Sequence, residues 1–323
     1  MTRRDGNTWD KPGRPVRVNA ALAAIHLGVN VYQFLVLPIW LLPLSTVWAW
    51  TLVPLALLNN AYWSLIHEAI HDLFHPVSRI NMLFGRVASV LFGAPFRILR
   101  LSHLLHHKLN RKPMEATELF DATNSSRLGA AWGYYFQILG GLYLIEFLSS
   151  LLLFLPRVWI RAFHRRFVKM ESVSGILLQN WTTDEAIREI RFDGGLVLSW
   201  ISLSLWCYGE HWPLLVAVIA ARGWFISFLD NVYHYRTPVN EIFYARNLWL
   251  PAPLDRLLLH FNLHGVHHKN PALSWYELPE VFKKQAGIYQ GNYLAAALGQ
   301  LSGPVALQEL PSAHVVRRAE SSK

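Results

Sequence analysis

The chain has 323 residues, of which 53% are hydrophobic and only 16% charged, with 14 Trp, 12 Tyr and 17 Phe. A mean hydropathy of +0.22 and charge gathered into blocks exclude a disordered, collagenous or coiled-coil chain and match a polytopic membrane protein. One cysteine, Cys207, excludes an internal disulfide, a Cys-ligated zinc site and an iron–sulfur cluster held by this chain alone. The net charge of +9 is what basic loops facing an anionic leaflet produce, and no nucleic-acid partner is expected.

Residues 1–17 read as a polar, basic, cytoplasmic tail without a cleavable signal, so the first span serves as the targeting signal. Residues 18–66 contain no Asp, Glu, Lys or Arg. At about 1.5 Å per residue this run holds two spans, near 20–42 and 46–66, with a tight turn near Pro43. Residues 129–156 are long and apolar enough to cross as well. A single crossing there would place the flanking His-rich segments on opposite sides, so the segment is read as interfacial or re-entrant, broken at Gly140-Gly141 and with Glu146 at the surface. A second apolar block gives spans near 194–209 and 212–230, joined by a short loop around Glu210 and His211. Of the 30 Lys and Arg residues, 29 fall in segments 1–17, 67–128, 157–193 and 234–323, leaving Arg222 alone within a span. The positive-inside rule then puts both termini and the polar segments on the cytoplasmic side, at the inner membrane if the source is bacterial. The expected fold is all-α: four membrane helices in two hairpins, residues 18–285 forming the membrane domain under a cytoplasmic helical cap, and 286–323 a C-terminal tail. Arg222 is expected to pair structurally, with Asp230 or a backbone carbonyl.

The chain carries 15 histidines, and their spacing is informative. His67 and His71, in HEAIH, are four residues apart and share one helix face. His103, His106 and His107 spell HxxHH, as do His264, His267 and His268. On a helix the first and last His of that motif share a face, while the middle one is rotated by roughly 100° and can turn to a second ion. With His234, just past the last span, the boxes supply nine imidazoles. No single transition-metal ion accepts nine, so the count points to a dinuclear site, although imidazole suits iron, copper and zinc alike. His26, His164, His211 and His314 read as isolated residues. His75 and His260, each four residues from a box, read as structural rather than as ligands or their partners. Glu68, Asp72, Glu115, Glu118, Asp121 and Asp230 are the candidate carboxylates for orienting imidazoles, each equally explained as a solvated cap residue or a helix cap.

These boxes resemble those of the membrane fatty acid desaturase and hydroxylase superfamily, H-x(3–4)-H, H-x(2–3)-H-H and (H/Q)-x(2–3)-H-H, over about residues 20–285. Pro271 stands where many members have a proline after the third box. The resemblance implies a centre of two ferrous ions with O2 as co-substrate, a cytoplasmic cap, and an acyl chain entering from the membrane. It assigns His67, His71, His103, His106, His107, His264, His267 and His268 as ligands, and His234 as the separate histidine before the third box, with Asp230 or Asn231 beside it to hold water. No catalytic residue beyond the ligands is implied. His107-Lys108-Leu109-Asn110-Arg111 and HGVHHKNP depart from the common desaturase patterns. Desaturation is the expected outcome, with alkene-forming decarboxylation, acetylenation and hydroxylation as the alternatives.

Two electrons per turnover must come from outside, because the chain has neither a Cys quartet nor an HPGG-type haem motif. The expected partner is a ferredoxin, a rubredoxin or a cytochrome b5 type with its reductase. The acyl substrate is free or carried on carrier protein, coenzyme A or lipid. Trp200, Trp206, Trp224, Phe225 and Phe228 are the aromatic candidates for an acyl tunnel. HEAIH also matches a zinc protease, with Glu68 as base and Asp193 in Phe192-Asp193-Gly194 as third ligand, although Asp193 is equally explained as a helix cap. That reading leaves two boxes idle. A His-rich zinc or copper transporter would need its ligands inside the spans.

Overall fold

The computed structural model describes residues 14–152 and 154–310, so the start of the expected N-terminal tail and His314 lie outside the described residues. Helix α1 (Val16–Val31) continues in wider π-helical turns over Tyr32–Leu41. Pro38, which has no N–H to give to a preceding carbonyl, sits in that widened stretch. Together they form an apolar helix of 26 residues, long enough to cross a bilayer.

The expected second span is not a single helix. It consists of a 3-10 turn over Thr46–Thr51, α2 (Leu52–Ala56), a turn at residues 57–58 and α3 (Asn59–Ile70). Pro54 within α2 withholds a donor, and the Asn59 amide turns back to donate to Ala56 O at 2.8 Å; both weaken a continuous helix here. This run lies antiparallel to α1. Tyr32 and Thr51 hydroxyls meet at 2.8 Å, His26 stacks on Tyr62, and Asn19 Nδ2 donates to Phe74 O. Every residue from Ala61 to Ile70 is buried, so α3 is a central helix rather than an amphipathic one.

Helices α4 (Ser78–Phe92) and α5 (Phe96–Leu109) meet at 101°. The corner is Gly93, at φ +107°, where an added Cβ would lie 2.4 Å from Tyr143 Oη. That hydroxyl donates to Phe92 O, which closes the bend sterically. After α6 (Arg127–Phe136) the chain breaks at Gly140, φ +127°, before α7 (Leu142–Leu152). Helices α8 (Arg157–Phe167) and α9 (Val173–Trp181) follow. Helix α10 (Asp184–Tyr208) begins well before the expected span, because Thr183 caps it by accepting from Ala186 N. Asp193 is therefore not a helix cap: it lies inside α10, ion-paired to Arg86.

A turn at Gly209–His211 leads into α11 (Trp212–Asp230). Asp193 of α10 contacts Arg86 and Arg222 of α11 contacts Phe92, so two residues far apart in sequence meet the same short helix, α4. The stretch Asp184–Tyr233 thus folds back on itself. Among the described residues two helical stretches, Val16–Leu41 and Asp184–Tyr233, are long and apolar enough to cross a membrane, or three if the bent α4–α5 pair counts as one span. The rest comprises the short helices α12 (Ala252–Leu257), α13 (His264–Lys269), α14 (Leu278–Lys284) and α15 (Tyr293–Gly299). Two small parallel pairings, β1 (Leu119–Phe120) with β4 (Val305–Ala306) and β2 (Leu248–Trp249) with β3 (Gly291–Asn292), staple distant loops together. Residues 293–306 belong to the core: Tyr293, Ala297 and Val305 are buried, and Gln300 donates to Phe228 O.

Arg222 does not pair with Asp230. Its fully buried guanidinium donates to Asn59 Oδ1, Asn30 Oδ1, Leu91 O and Phe92 O, and lies over the rings of Phe34 and Phe92. One cation thereby ties together α1, α3, α4 and α11, and the backbone-carbonyl expectation is met. Arg222→Ala should cost about 3 kcal/mol or more, since it strands several buried acceptors of charged hydrogen bonds; thermal unfolding in detergent measures it, and Arg222→Lys should rescue little because one ammonium cannot reach all four acceptors. Cysteines at Gln179 and Glu210, on a Cys207→Ser background, should be labelled from opposite faces of the membrane; labelling from one face overturns the expected sidedness.

Candidate metal centre

Four separated segments deliver the histidines. His67 lies in the last turn of α3, with His71 just past its end; His103, His106 and His107 line one side of α5; His234 follows α11; His264, His267 and His268 make up half of α13. The nine converge into two groups. His67, His71, His103, His107 and His267 form one and His106, His234, His264 and His268 the other, with the ligand atoms of each group within 4.8 Å of one another. In both HxxHH boxes the first and last histidines share a group and the middle one turns to the other. His75 and His260 stay outside: His75 Nδ1 accepts from Val77 N, and His260 pairs with Asp255 and stacks on Trp275.

The contacts between rings are not a hydrogen-bond network. Nε2 of His103 lies 3.0 Å from Nε2 of both His71 and His107, and Nε2 of His107 lies 3.0 Å from that of His267 as well. A ring nitrogen has either one proton or one lone pair in the ring plane, so it cannot serve two such partners. Donors about 2.1 Å from one ion and at right angles would be roughly 3.0 Å apart. His67 Nε2 and both nitrogens of His234 are buried with no hydrogen-bond partner. Convergent lone pairs with nothing to accept them are the donor set of a cation, and the residues present fit a pair of ions.

Electrostatics keep most of these imidazoles in the ligating form. Burial, reinforced by the neighbouring histidines, holds His67, His103, His234, His264, His267 and His268 well below the usual imidazole range. His71 and His107 are pushed down to about 4 and about 3 by the same cause. His106 is the exception. Burial lowers it, but the charge and the 2.6 Å hydrogen bond of Glu115 outweigh that and raise it. Glu115 fixes Nδ1 of His106 and turns Nε2 inward.

The other carboxylates serve the scaffold. Glu68 Oε1 accepts from Trp275 N, and burial raises its pKa to about 8. Asp72 binds Arg100 and Asn81. Glu118 forms a buried pair with Arg111, which also donates to Thr237 O and Pro238 O and so straps the loop after the second box to the loop after His234. Asp121 caps its own exposed turn. With Glu68 held by Trp275 and Asp193 held by Arg86, the groups that a zinc protease needs are engaged elsewhere. Helix α13 is fixed by Asn247, whose Oδ1 accepts from Val266 N. Gly265 is required there, since a Cβ would lie 2.4 Å from Ala245 O; this accounts for the glycine in HGVHH.

A cavity of about 400 Å³ runs along α5 and α11 beside the centre and touches His103, His106 and His234. Its apolar walls include Trp63, Leu99, Ile138, Leu142, Ile226 and Trp181. None of Trp200, Trp206, Trp224, Phe225 and Phe228 lines it: Trp206 is exposed, Trp200 packs on Phe34, and Trp224 stacks on Phe228 and meets Phe225 edge-on. Glu146, expected at the surface, is half-buried and faces this cavity, as do Asp230 and Asn231. The signal for Glu146 was available as a lone carboxylate in an apolar run. For Trp63 and Trp181 no local signal existed.

A sequence model of the fatty acid desaturase family matches residues 44–296, more than three quarters of the chain. The chain belongs to the fatty acid desaturase family. Membership implies a lipid substrate and a bilayer environment, and together with the two clusters it fits a dinuclear iron oxidoreductase. No curated protein matches the chain. The desaturase family match spans all three boxes and His234. Glu115→Ala should weaken metal binding at the His106 group by about 10–100-fold while sparing the group of five; titration of the purified protein with Fe2+ under anaerobic conditions measures both steps.

Proposed function

We propose that the chain is an O2-dependent fatty acyl desaturase with two iron ions, one held by His67, His71, His103, His107 and His267 and the other by His106, His234, His264 and His268. The observation that carries this reading is the pair of imidazole clusters opening onto an apolar cavity of a volume suited to a single small ligand chain. When bound, the ions supply O2 activation, with electrons from an external ferredoxin, rubredoxin or cytochrome b5-type donor.

The protein's part is positioning and exclusion. Leu99, Ile138, Leu142 and Ile226 keep the reacting methylenes dry and hold the chain against His103 and His106. Asp230 and Asn231 are the polar groups beside His234; Asn231 Nδ2 is buried without a partner and is placed to hold water there. The cavity's charged residues are Glu115, Glu118, Glu146 and Asp230, and its single cation, Arg111, already pairs with Glu118. The apolar walls favour the hydrocarbon part of the substrate beside His103 and His106. The proposed setting is four spans in two hairpins with both termini and the centre on the cytoplasmic side.

The purified protein should bind iron at close to two ions per chain. With O2 and a reductase system it should yield an acyl product lighter by two hydrogens, and His106→Ala should lose both the second iron and the product. A product with an added oxygen would instead mean hydroxylation, and one carbon fewer decarboxylation. One zinc per chain and no lipid change would overturn the reading.

A further inference from the structure

A second, smaller cavity lies across a thin partition from the first. It is about 10 Å³, room for one water at most. Its walls include Leu258, Phe261, Tyr233 and Tyr293. Phe261 packs edge-on against His67, and Tyr233 lies against His264, so this cavity flanks the centre on a different side from the first. Three residues line both cavities: Trp63, Ile226 and Asp230. Trp63 is the largest of the three. Its ring stacks on Phe92 at 5.8 Å and stands edge-on to His103 at 6.3 Å, which fixes it one turn before His67 on a helix buried on all sides.

We propose that Trp63, backed by Ile226, is the stop that ends the acyl cavity at the dinuclear centre and so sets which chain lengths are accepted and how far a chain passes the metals. The inference rests on the acyl reading above. A chain lying along α5 beside His103 and His106 meets the indole before it can enter the second cavity, and a rigid, stacked aromatic cannot yield to an extra methylene as a flexible side chain can. A substrate that is too long must leave methylenes outside the apolar walls, near the exposed Met114 and Ile145. Discrimination of about fourfold per misplaced methylene follows from the apolar burial lost.

The test has two readouts on detergent-purified protein. Ligand-induced shifts in melting temperature with a graded series of saturated acyl chains rank binding without turnover, and product analysis with the reductase system ranks turnover and locates the new double bond. Trp63→Ala should move the preferred length upward in both rankings and shift the oxidised position away from the end of the chain that meets the stop. Ile226→Ala opens the same partition from α11 and should shift the ranking in the same direction, which keeps the test valid if the Trp63 variant fails to fold. Leu258→Phe, which fills the second cavity, should restore the wild-type ranking on the Trp63→Ala background. An unchanged ranking in folded Trp63→Ala and Ile226→Ala overturns the proposal. A shifted binding ranking with no oxidised product from any variant supports the stop and counts against desaturation, so the two readings fail separately.

Discussion

The rest of the structure depends on holding nine imidazole lone pairs together in a buried space. Each ring was desolvated to get there, and in both groups the nitrogens point at one another rather than at donors. No arrangement of protons turns these contacts into a hydrogen-bond network, so the scaffold must hold the rings until cations repay the cost. The rigid features of the fold answer that demand. α3 is enclosed along its length, the 101° corner at Gly93 is closed by Tyr143, the Arg111–Glu118 strap joins two ligand-bearing loops, and α13 is pinned by Asn247 against a glycine that nothing larger can replace.

The carboxylates show how this scaffold distinguishes ligand orientation from structure. Glu115 alone among the candidate acids reaches a cluster histidine by hydrogen bond, at 2.6 Å to His106. Glu68, Asp72, Glu118 and Asp193 bind backbone amides, asparagine or arginine instead. HEAIH in this protein is therefore a pair of imidazoles with an unrelated acid between them. The acid's position on a helix face decides this, because the residue next to His67 points about 100° away from it.

The same logic extends into the apolar part. Arg222 gathers α1, α3, α4 and α11 around one buried cation, and those helices carry or buttress three of the four histidine segments. Between α5 and α11 they leave a cavity with largely apolar walls that reaches His103, His106 and His234. Catalysis on a hydrocarbon needs such an enclosure, since the reacting methylene offers nothing to hydrogen-bond and can be placed only by shape.

The sequence by itself determined what short-range periodicity encodes. The 3.6-residue repeat dictates that His103 and His107 face together while His106 turns aside, and that His264 and His268 do the same around His267. The uncharged runs predict apolar helices, Gly140 marks a break, and the lone arginine marks a buried pairing site. Only the tertiary structure decided which carboxylate orients which ring, that the run after Thr46 breaks into short pieces, that α10 starts at Thr183 rather than at Asp193, and that Trp63 and Trp181 rather than Trp200 and Trp224 wall the cavity. The physical reason is range. Glu68 with Trp275, Asp193 with Arg86 and Arg222 with Asn30 are contacts across more than a hundred residues, and no local pattern of residues says which distant side chain will arrive to meet them.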